Sequence, residues 1–325
     1  MDSALLEIKD LKTSFRTEAG TARAVDSVSF TISQKQVVGI VGESGCGKSV
    51  CALSILRLVP PPGIIEGGQI FFSGTDLLSI PESRMQSIRG NEISMIFQEP
   101  MTSLNPVFRI EDQVAEVLLR HKRISKNEAR SRVIELLGMA GIPSPEKRMR
   151  DYPHQMSGGM RQRAMIAMAI ACNPRLVIAD EPTTALDVTI QAQILALLEG
   201  LRQTHSMAIL LITHDLGVIA EAADEVIVMY TGRIVEKALA RELFADPLHP
   251  YTRGLMRSAP AGAIAEQAKR LEAIRGVVPS LYGLPHGCKF NTRCPQAFER
   301  CFMEEPALRT PAAGHPVRCW LYSSE

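Results

Sequence analysis

Val37-Val38-Gly39-Ile40-Val41, continued by Gly42-Glu43-Ser44-Gly45-Cys46-Gly47-Lys48-Ser49 and then by Val50-Cys51-Ala52-Leu53-Ser54-Ile55-Leu56-Arg57-Leu58, decides the fold. Five residues in a row without a polar side chain predict a strand buried on both faces, and the apolar-periodic stretch after the turn predicts a helix. Gly42 to Ser49 fits G-x-x-x-x-G-K-[ST] in the strand, turn and helix setting that this pattern needs. Its glycines, Gly42, Gly45 and Gly47, admit dihedrals and close approaches that side chains would block. Consecutive N–H groups across Ser44, Gly45, Cys46 and Gly47 can then point at phosphate oxygens at the positive end of a helix. Lys48 adds a cation for the outer phosphates, and the Ser49 hydroxyl suits Mg²⁺, a hard ion that prefers oxygen ligands. The plainer alternative is a flexible glycine turn with a surface lysine, which the flanking strand and helix disfavour.

Outward from this unit, Val28 to Ile32 alternates apolar and polar residues as a half-buried strand does, and residues 94–97, 176–179 and 208–213 read as short buried strands. Helical patterns near 111–120, 126–138, 158–172 and 188–203 are interleaved with them, which predicts an α/β core with a largely parallel sheet. The strand at 176–179 runs into Asp180-Glu181-Pro182, so two carboxylates fall at the carboxyl end of a strand, where open α/β sheets bind their ligands. Asp180 suits Mg²⁺, directly or through water, and Glu181 can polarise an attacking water. A turn with two solvated acids is the alternative reading.

The chain has 325 residues, 46% hydrophobic and 22% charged, which excludes disorder and collagen, and its length allows about two cores. A net charge of +1 provides no global field for gathering nucleic acid or acidic lipid. The opening MDSALLEIKD carries acids where a signal peptide carries positive charge, which predicts no export. No stretch reaches the roughly 18 to 20 apolar residues of a membrane-spanning helix. No internal repeat is evident, which argues against solenoids and propellers. From Pro285 to Glu325 five of 41 residues are proline, against 20 of 325 in the chain, so this tail is expected to hold little regular structure and to need another fastening.

Met156-Ser157-Gly158-Gly159-Met160-Arg161-Gln162-Arg163 resembles the signature motif of the ATP-binding cassette (ABC) ATPases. Order and spacing are similar to that family as well: Gln98 resembles the Q-loop glutamine, Thr184-Ala185-Leu186-Asp187 the D-loop, and His214 the switch histidine that senses the γ-phosphate. Phe15 stands where the family places an aromatic residue under adenine, with plain core packing as the alternative. The resemblance covers about residues 4 to 245. It implies an ABC nucleotide-binding domain, with a RecA-like parallel-sheet core, antiparallel β and helical subdomains (the helical one about residues 100–165). It also implies ATP and Mg²⁺ as ligands, Mg²⁺ being served by Ser49, Gln98 and Asp180, and Glu181 with His214 as the catalytic pair. In chemical terms, Ser157-Gly158-Gly159 opening a helix presents N–H groups, a hydroxyl and a positive dipole end to an anion. The family uses this second phosphate site in a head-to-tail dimer that sandwiches two ATP molecules. Met156 and Met160 depart from the commoner Leu and Gln, which leaves the backbone donors intact.

Glu99 to Pro106 and His249-Pro250-Tyr251-Thr252 resemble the dipeptide, oligopeptide and nickel importer branch, as does the C-terminal extension, residues 246–325 beyond a cassette at 1–245. That resemblance implies two transmembrane permease subunits, a second ATPase subunit and an extracytoplasmic binding protein as partners. It implies peptide import from the cytoplasmic face of the inner membrane, and no nucleic acid; the rival reading is a soluble mechanical ATPase acting on nucleic acid. Cys288, Cys294, Cys301 and Cys319 run C-x5-C-x6-C-x17-C. Four thiolates can hold Zn²⁺ or an iron–sulfur cluster. The resemblance implies a four-iron, four-sulfur cluster; zinc is the alternative and uncoordinated thiols the third.

Overall fold

The structure is a computed structural model that describes residues 4–18, 20–99, 103–184, 186–258, 273–312 and 314–322. Of the stretches singled out above, residues 1–3, 19, 100–102, 185, 259–272, 313 and 323–325 lie outside the described residues. The first elements in chain order are β1 (Leu6–Thr17), β2 (Gly20–Ile32), β3 (Val37–Val41), α1 (Lys48–Ile55), β4 (Gly63–Phe72), β5 (Thr75–Asp76), α2 (Glu82–Ile88) and β6 (Ile93–Ile96). Then come α3 (Ile110–His121), α4 (Lys126–Met139), α5 (Pro145–Arg148), α6 (Gly158–Ile170), β7 (Leu176–Asp180), α7 (Val188–His205) and β8 (Ala208–Ile212). The last are α8 (Leu216–Ala222), β9 (Glu225–Tyr230), β10 (Arg233–Leu239), α9 (Ala240–Ala245), α10 (Pro250–Ser258), α11 (Glu299–Met303), β11 (Arg309–Ala312) and β12 (His315–Val317).

Two compact units divide the chain. The first comprises Met1–Ser33, Val37–Leu78 and Leu211–Glu325, and the second Gln34–Gln36 and Ser79–Leu210. In the first unit an antiparallel sheet has the order β2-β1-β4-β5. The end of β2 alternates buried and exposed residues, as its sequence predicts. All five residues of β3 are buried, and β3 pairs in parallel with β9 from Val38 with Glu225 to Val41 with Val228. A Cβ on Gly39 would lie 2.6 Å from Ile219 Cδ1, so a bare Cα there lets α8 pack tightly on the strand.

The core strands pair in parallel, β3 with β9 and β6 with β7, and antiparallel strands added beyond β9 make the sheet mixed. β9 turns back into β10 through Thr231 and Gly232, both left-handed (φ 43° and 82°), the primed-turn geometry that suits strand twist. The tail then adds β12 against β10 and β11 against β12, both antiparallel. Prolines at 311 and 316 therefore shorten strands without abolishing them: the registers extend over only one or two paired positions. A wholly buried carboxylate, Glu236 on β10, fastens the tail. It accepts hydrogen bonds from the backbone N–H of Leu248 (2.6 Å) and of His249 (3.0 Å) and lies 2.7 Å from His315 Nε2.

In the second unit β6 and β7 pair in parallel, Ile93 with Leu176 through Ile96 with Ala179. α3, α4 and α6 pack on one another and bury Val114, Leu118, Val133, Leu137, Met165 and Ile166. Ser125 caps α4 by accepting the Glu128 N–H, the local signal that starts a helix at Lys126. Among the described residues no helix is long and apolar enough to cross a membrane.

Candidate nucleotide site and cysteine site

The first unit carries the phosphate loop. β3 ends at Val41, and Gly42 (φ 152°) turns the chain where an added Cβ would meet Met229 O at 2.3 Å. Gly47 (φ 101°) is the N-cap of α1, and its Cβ would meet Ala24 O at 2.1 Å, so both positions require glycine for space and for conformation. The Gly232 N–H donates to Cys46 O at 2.9 Å and ties the loop to the β9–β10 turn. Ser44 and Gly45 are exposed and Ser49 is half-buried. Lys48 is buried, and its Nζ donates to the carbonyls of Gly42 (2.7 Å) and Glu43 (3.1 Å), so the loop's own carbonyls hold the ammonium inside the turn. Burial pushes the Cys46 thiol up, outweighing the pull of Lys48 beside it.

Phe15, on β1, is half-buried, and a Cβ on Gly63 opposite it would meet its ring at 2.7 Å, so the ring rests on a glycine. His214 is exposed, two residues beyond the end of β8. Thr213 N–H donates to Ile40 O at 3.2 Å, which registers this end against the strand that feeds the loop. Asp215 caps α8 by accepting from Gly217 and Val218.

The second unit carries the acids and the signature helix. Asp180 ends β7, buried at 4% exposure, and Glu181 follows in the left-handed region (φ 48°), a conformation with a backbone cost of about 1 to 3 kcal/mol that recurs at functional sites. Gln98, two residues past β6, donates from Nε2 to Glu181 Oε2 at 3.1 Å, and Thr184 Oγ1 donates to the same oxygen at 2.7 Å. The structure thus brings Gln98 and Glu181 together and adds Thr184, which the sequence marks only as part of a loop. Ser157 caps α6, accepting from Met160 N–H at 3.3 Å, with Gly158 and Gly159 opening the helix. A Cβ on Gly159 would meet Ile190 Cγ2 at 3.1 Å, so glycine lets the start of α7 approach, where exposed Asp187 caps by accepting from Ile190 N–H at 2.9 Å. Met156 is buried, an apolar anchor beneath the motif.

Cys288, Cys294, Cys301 and Cys319 line one small cavity with His249, Phe290 and Trp320. Cys288 N–H donates to Cys301 O at 2.8 Å, and Asn291 Nδ2 donates to the same carbonyl at 3.1 Å. Gly287 (φ 70°) lets the chain pass: its Cβ would meet Cys301 O at 2.4 Å. Burial pushes the Cys288 thiol up to about 11 and Cys319 up to about 12, and raises Cys294. Among the described residues no three His, Cys, Asp or Glu side chains are gathered as for one metal ion. The expectation of a metal site at these four cysteines is therefore not supported by their arrangement among the described residues.

The family described as "ABC transporter" matches residues 25–184, and the one described as "Oligopeptide/dipeptide transporter, C-terminal region" matches residues 235–301. The oligopeptide transport ATP-binding protein AppD of Bacillus subtilis is 54% identical over 99% of this chain and 98% of its own. The dipeptide transport ATP-binding protein DppD of Escherichia coli is 50% identical over 97% and 96%. Among solved structures, the dimeric ATP-binding cassette MJ0796 bound to ADP and Pi superposes with a TM-score of 0.66 and 27% identity, over 73% of this chain and 99% of that one. The phosphate loop, the paired acids and the serine-capped signature helix thus occur in a chain that matches such proteins from end to end. It belongs to the ABC transporter family of ATP-hydrolysing ATP-binding proteins, among the members that carry the oligopeptide/dipeptide transporter C-terminal region.

Proposed function

We propose that this ATPase powers the import of di- or oligopeptides, working at the cytoplasmic face of the inner membrane as a peripheral subunit. The observation that carries the reading is the likeness, over nearly the whole chain and including the C-terminal region, to oligopeptide and dipeptide transport ATP-binding proteins. In this reading residues 1–245 form the cassette, with a helical part at about 100–165, and residues 246–325 the extension. The partners are two transmembrane permease subunits, a second ATPase subunit packed head to tail, and an extracytoplasmic binding protein.

Each side chain then has a role that its setting supports. Lys48 leaves the Gly42 and Glu43 carbonyls to meet the β- and γ-phosphates, while the loop amides from Ser44 to Ser49 cradle them. Ser49, Asp180 and Gln98 serve Mg²⁺, Phe15 packs under the adenine, and the Ser157, Gly158 and Gly159 helix end of one subunit meets the γ-phosphate on its neighbour. Glu181 orients and polarises the attacking water once Gln98 and Thr184 release its carboxylate, and His214 and Asp187 complete the closed site. Cys288, Cys294, Cys301 and Cys319 would hold a four-iron, four-sulfur cluster, whose chemistry here is to fasten the extension.

Co-purification with the permease from detergent-solubilised membranes, followed by ATPase assay with and without peptide and binding protein, tests the reading. Peptide-stimulated turnover is expected. Glu181→Gln should reduce kcat by about 10² to 10⁴ while ATP binding persists; a Glu181→Gln assembly with full turnover removes Glu181 as the base.

A further inference from the structure

Two residues of the extension grip the phosphate loop. Arg293, whose side chain is only 3% exposed, donates from Nη1 to Glu43 Oε2 at 2.7 Å and from Nη2 to Glu43 Oε1 at 2.9 Å, a bidentate pair. Tyr251, wholly buried, accepts the Glu43 backbone N–H on its hydroxyl at 2.8 Å. Glu43 is the residue that follows Gly42 in the phosphate loop, and its carbonyl accepts from Lys48 Nζ. One loop residue is therefore held by its side chain, its N–H and its carbonyl at once.

The clamp has its own support. Arg293 Nε donates to Arg275 O at 3.0 Å, and its guanidinium lies 5.9 Å from the Tyr230 ring centre and 5.8 Å from that of Phe290. Tyr230, Tyr251 and Phe290 pack mutually, with ring centres 4.7 to 5.4 Å apart. Such a setting fixes the guanidinium fork and gives a bond to a charged group more weight than a surface pair has.

Resting on the ATPase reading above, we propose that Arg293 and Tyr251 are positioning residues for nucleotide binding, through which the cysteine-bearing extension sets the affinity of the phosphate loop. The physical reason is electrostatic as well as steric. Glu43 puts a carboxylate into a loop built to receive anions; Arg293 neutralises it and turns it away, and Tyr251 pins the backbone that aims the neighbouring amides. Without Arg293 the unopposed carboxylate repels the phosphates, and the loop loses its fixed entry angle.

Equilibrium binding of a fluorescent ATP analogue with Mg²⁺ to the full-length chain, alongside steady-state kinetics of the assembled transporter, tests this. Arg293→Ala should weaken nucleotide binding at least about tenfold and raise KM for ATP more than it lowers kcat. Adding Glu43→Gln to Arg293→Ala should recover most of that affinity, because the stranded charge is gone. Tyr251→Phe, which keeps the ring packing, should weaken binding several-fold, as should Arg293→Lys, which keeps the charge but not the fork. An Arg293→Ala chain that binds within twofold of wild type overturns the proposal, and so does a double variant with no recovery, the result expected if Arg293 acted only by holding Cys294 in place. If Arg293→Ala does not fold, unchanged binding in both Tyr251→Phe and Arg293→Lys overturns it equally. Nucleotide binding by the wild-type chain tests the ATPase reading itself, so the two failures are distinguishable.

Discussion

His249 lies 2% exposed between Glu236, which accepts its backbone N–H, and the ring of Phe290, and its Nδ1 accepts the Tyr251 N–H. Burial drives its pKa down to about 3, an effect that the Arg318 carbonyl opposes and the Arg318 guanidinium reinforces. Between about 3 and the ordinary 6.5 the unfolded chain binds a proton that the folded chain refuses. The stability contributed by the neutral ring is therefore complete above about pH 6.5 and falls as the pH drops, by up to about 1.4 kcal/mol per unit. Denaturant unfolding at pH 7.5 and 5.5 should show a larger loss for wild type than for His249→Gln; parallel losses would remove His249 as the cause. At this scale the candidate site was legible only in part. Gln98, Glu181 and Ser157 declare themselves because each sits in a short pattern at a strand or helix end. Arg293 does not, since nothing in a run of residues around Cys294 says that its guanidinium meets a carboxylate 250 positions earlier.

Secondary elements were legible where burial is symmetrical and local. The unbroken apolar run of β3 and the capped starts of α4, α6 and α7 all match, because strand pattern and cap chemistry act within a few residues. β11 and β12 were hidden by their prolines, and the β9–β10 hairpin was missed because its turn, Tyr230-Thr231-Gly232-Arg233, carries only one glycine. The signature helix allows two roles of one residue to be separated. Ser157→Ala removes the cap of α6 and should cost about 1 kcal/mol in chemical unfolding. Ser157→Asp caps as well as serine does but would face the phosphate proposed for this helix end with a negative charge, so stability should return to the wild-type level while ATPase activity of the assembly stays low. An active Ser157→Asp variant would count against a γ-phosphate at this helix end.

For the molecule as a whole, the Glu236 hub holds a tail that its composition alone leaves loose, and the proposed cluster would add a second fastening. Protein purified without oxygen should absorb broadly near about 400 nm and contain sulfide in step with iron. On the cluster reading, stripping the iron should lower the unfolding temperature and make the segment from Pro285 onward cleavable by protease, because the raised Cys288 and Cys319 thiols would then reprotonate and nothing would join them. Colourless chain with one tightly held zinc, or identical protection before and after iron removal, would reject the cluster as a fastener. The division of the chain into two interleaved units was not visible beforehand, since the second is inserted into the first and its limits at Ser79 and Leu210 coincide with no change in composition.

Glu236 waits for His315, 79 positions later in the chain. A ribosome delivers the carboxylate and its Leu248 and His249 amide donors long before its imidazole, so every growing polypeptide passes through a stage in which this acid has only part of its shell. Completion of this sheet is thereby postponed until β12 has been made. A chain cut before His315 should unfold at lower denaturant than the whole chain, because the buried acid then lacks the imidazole.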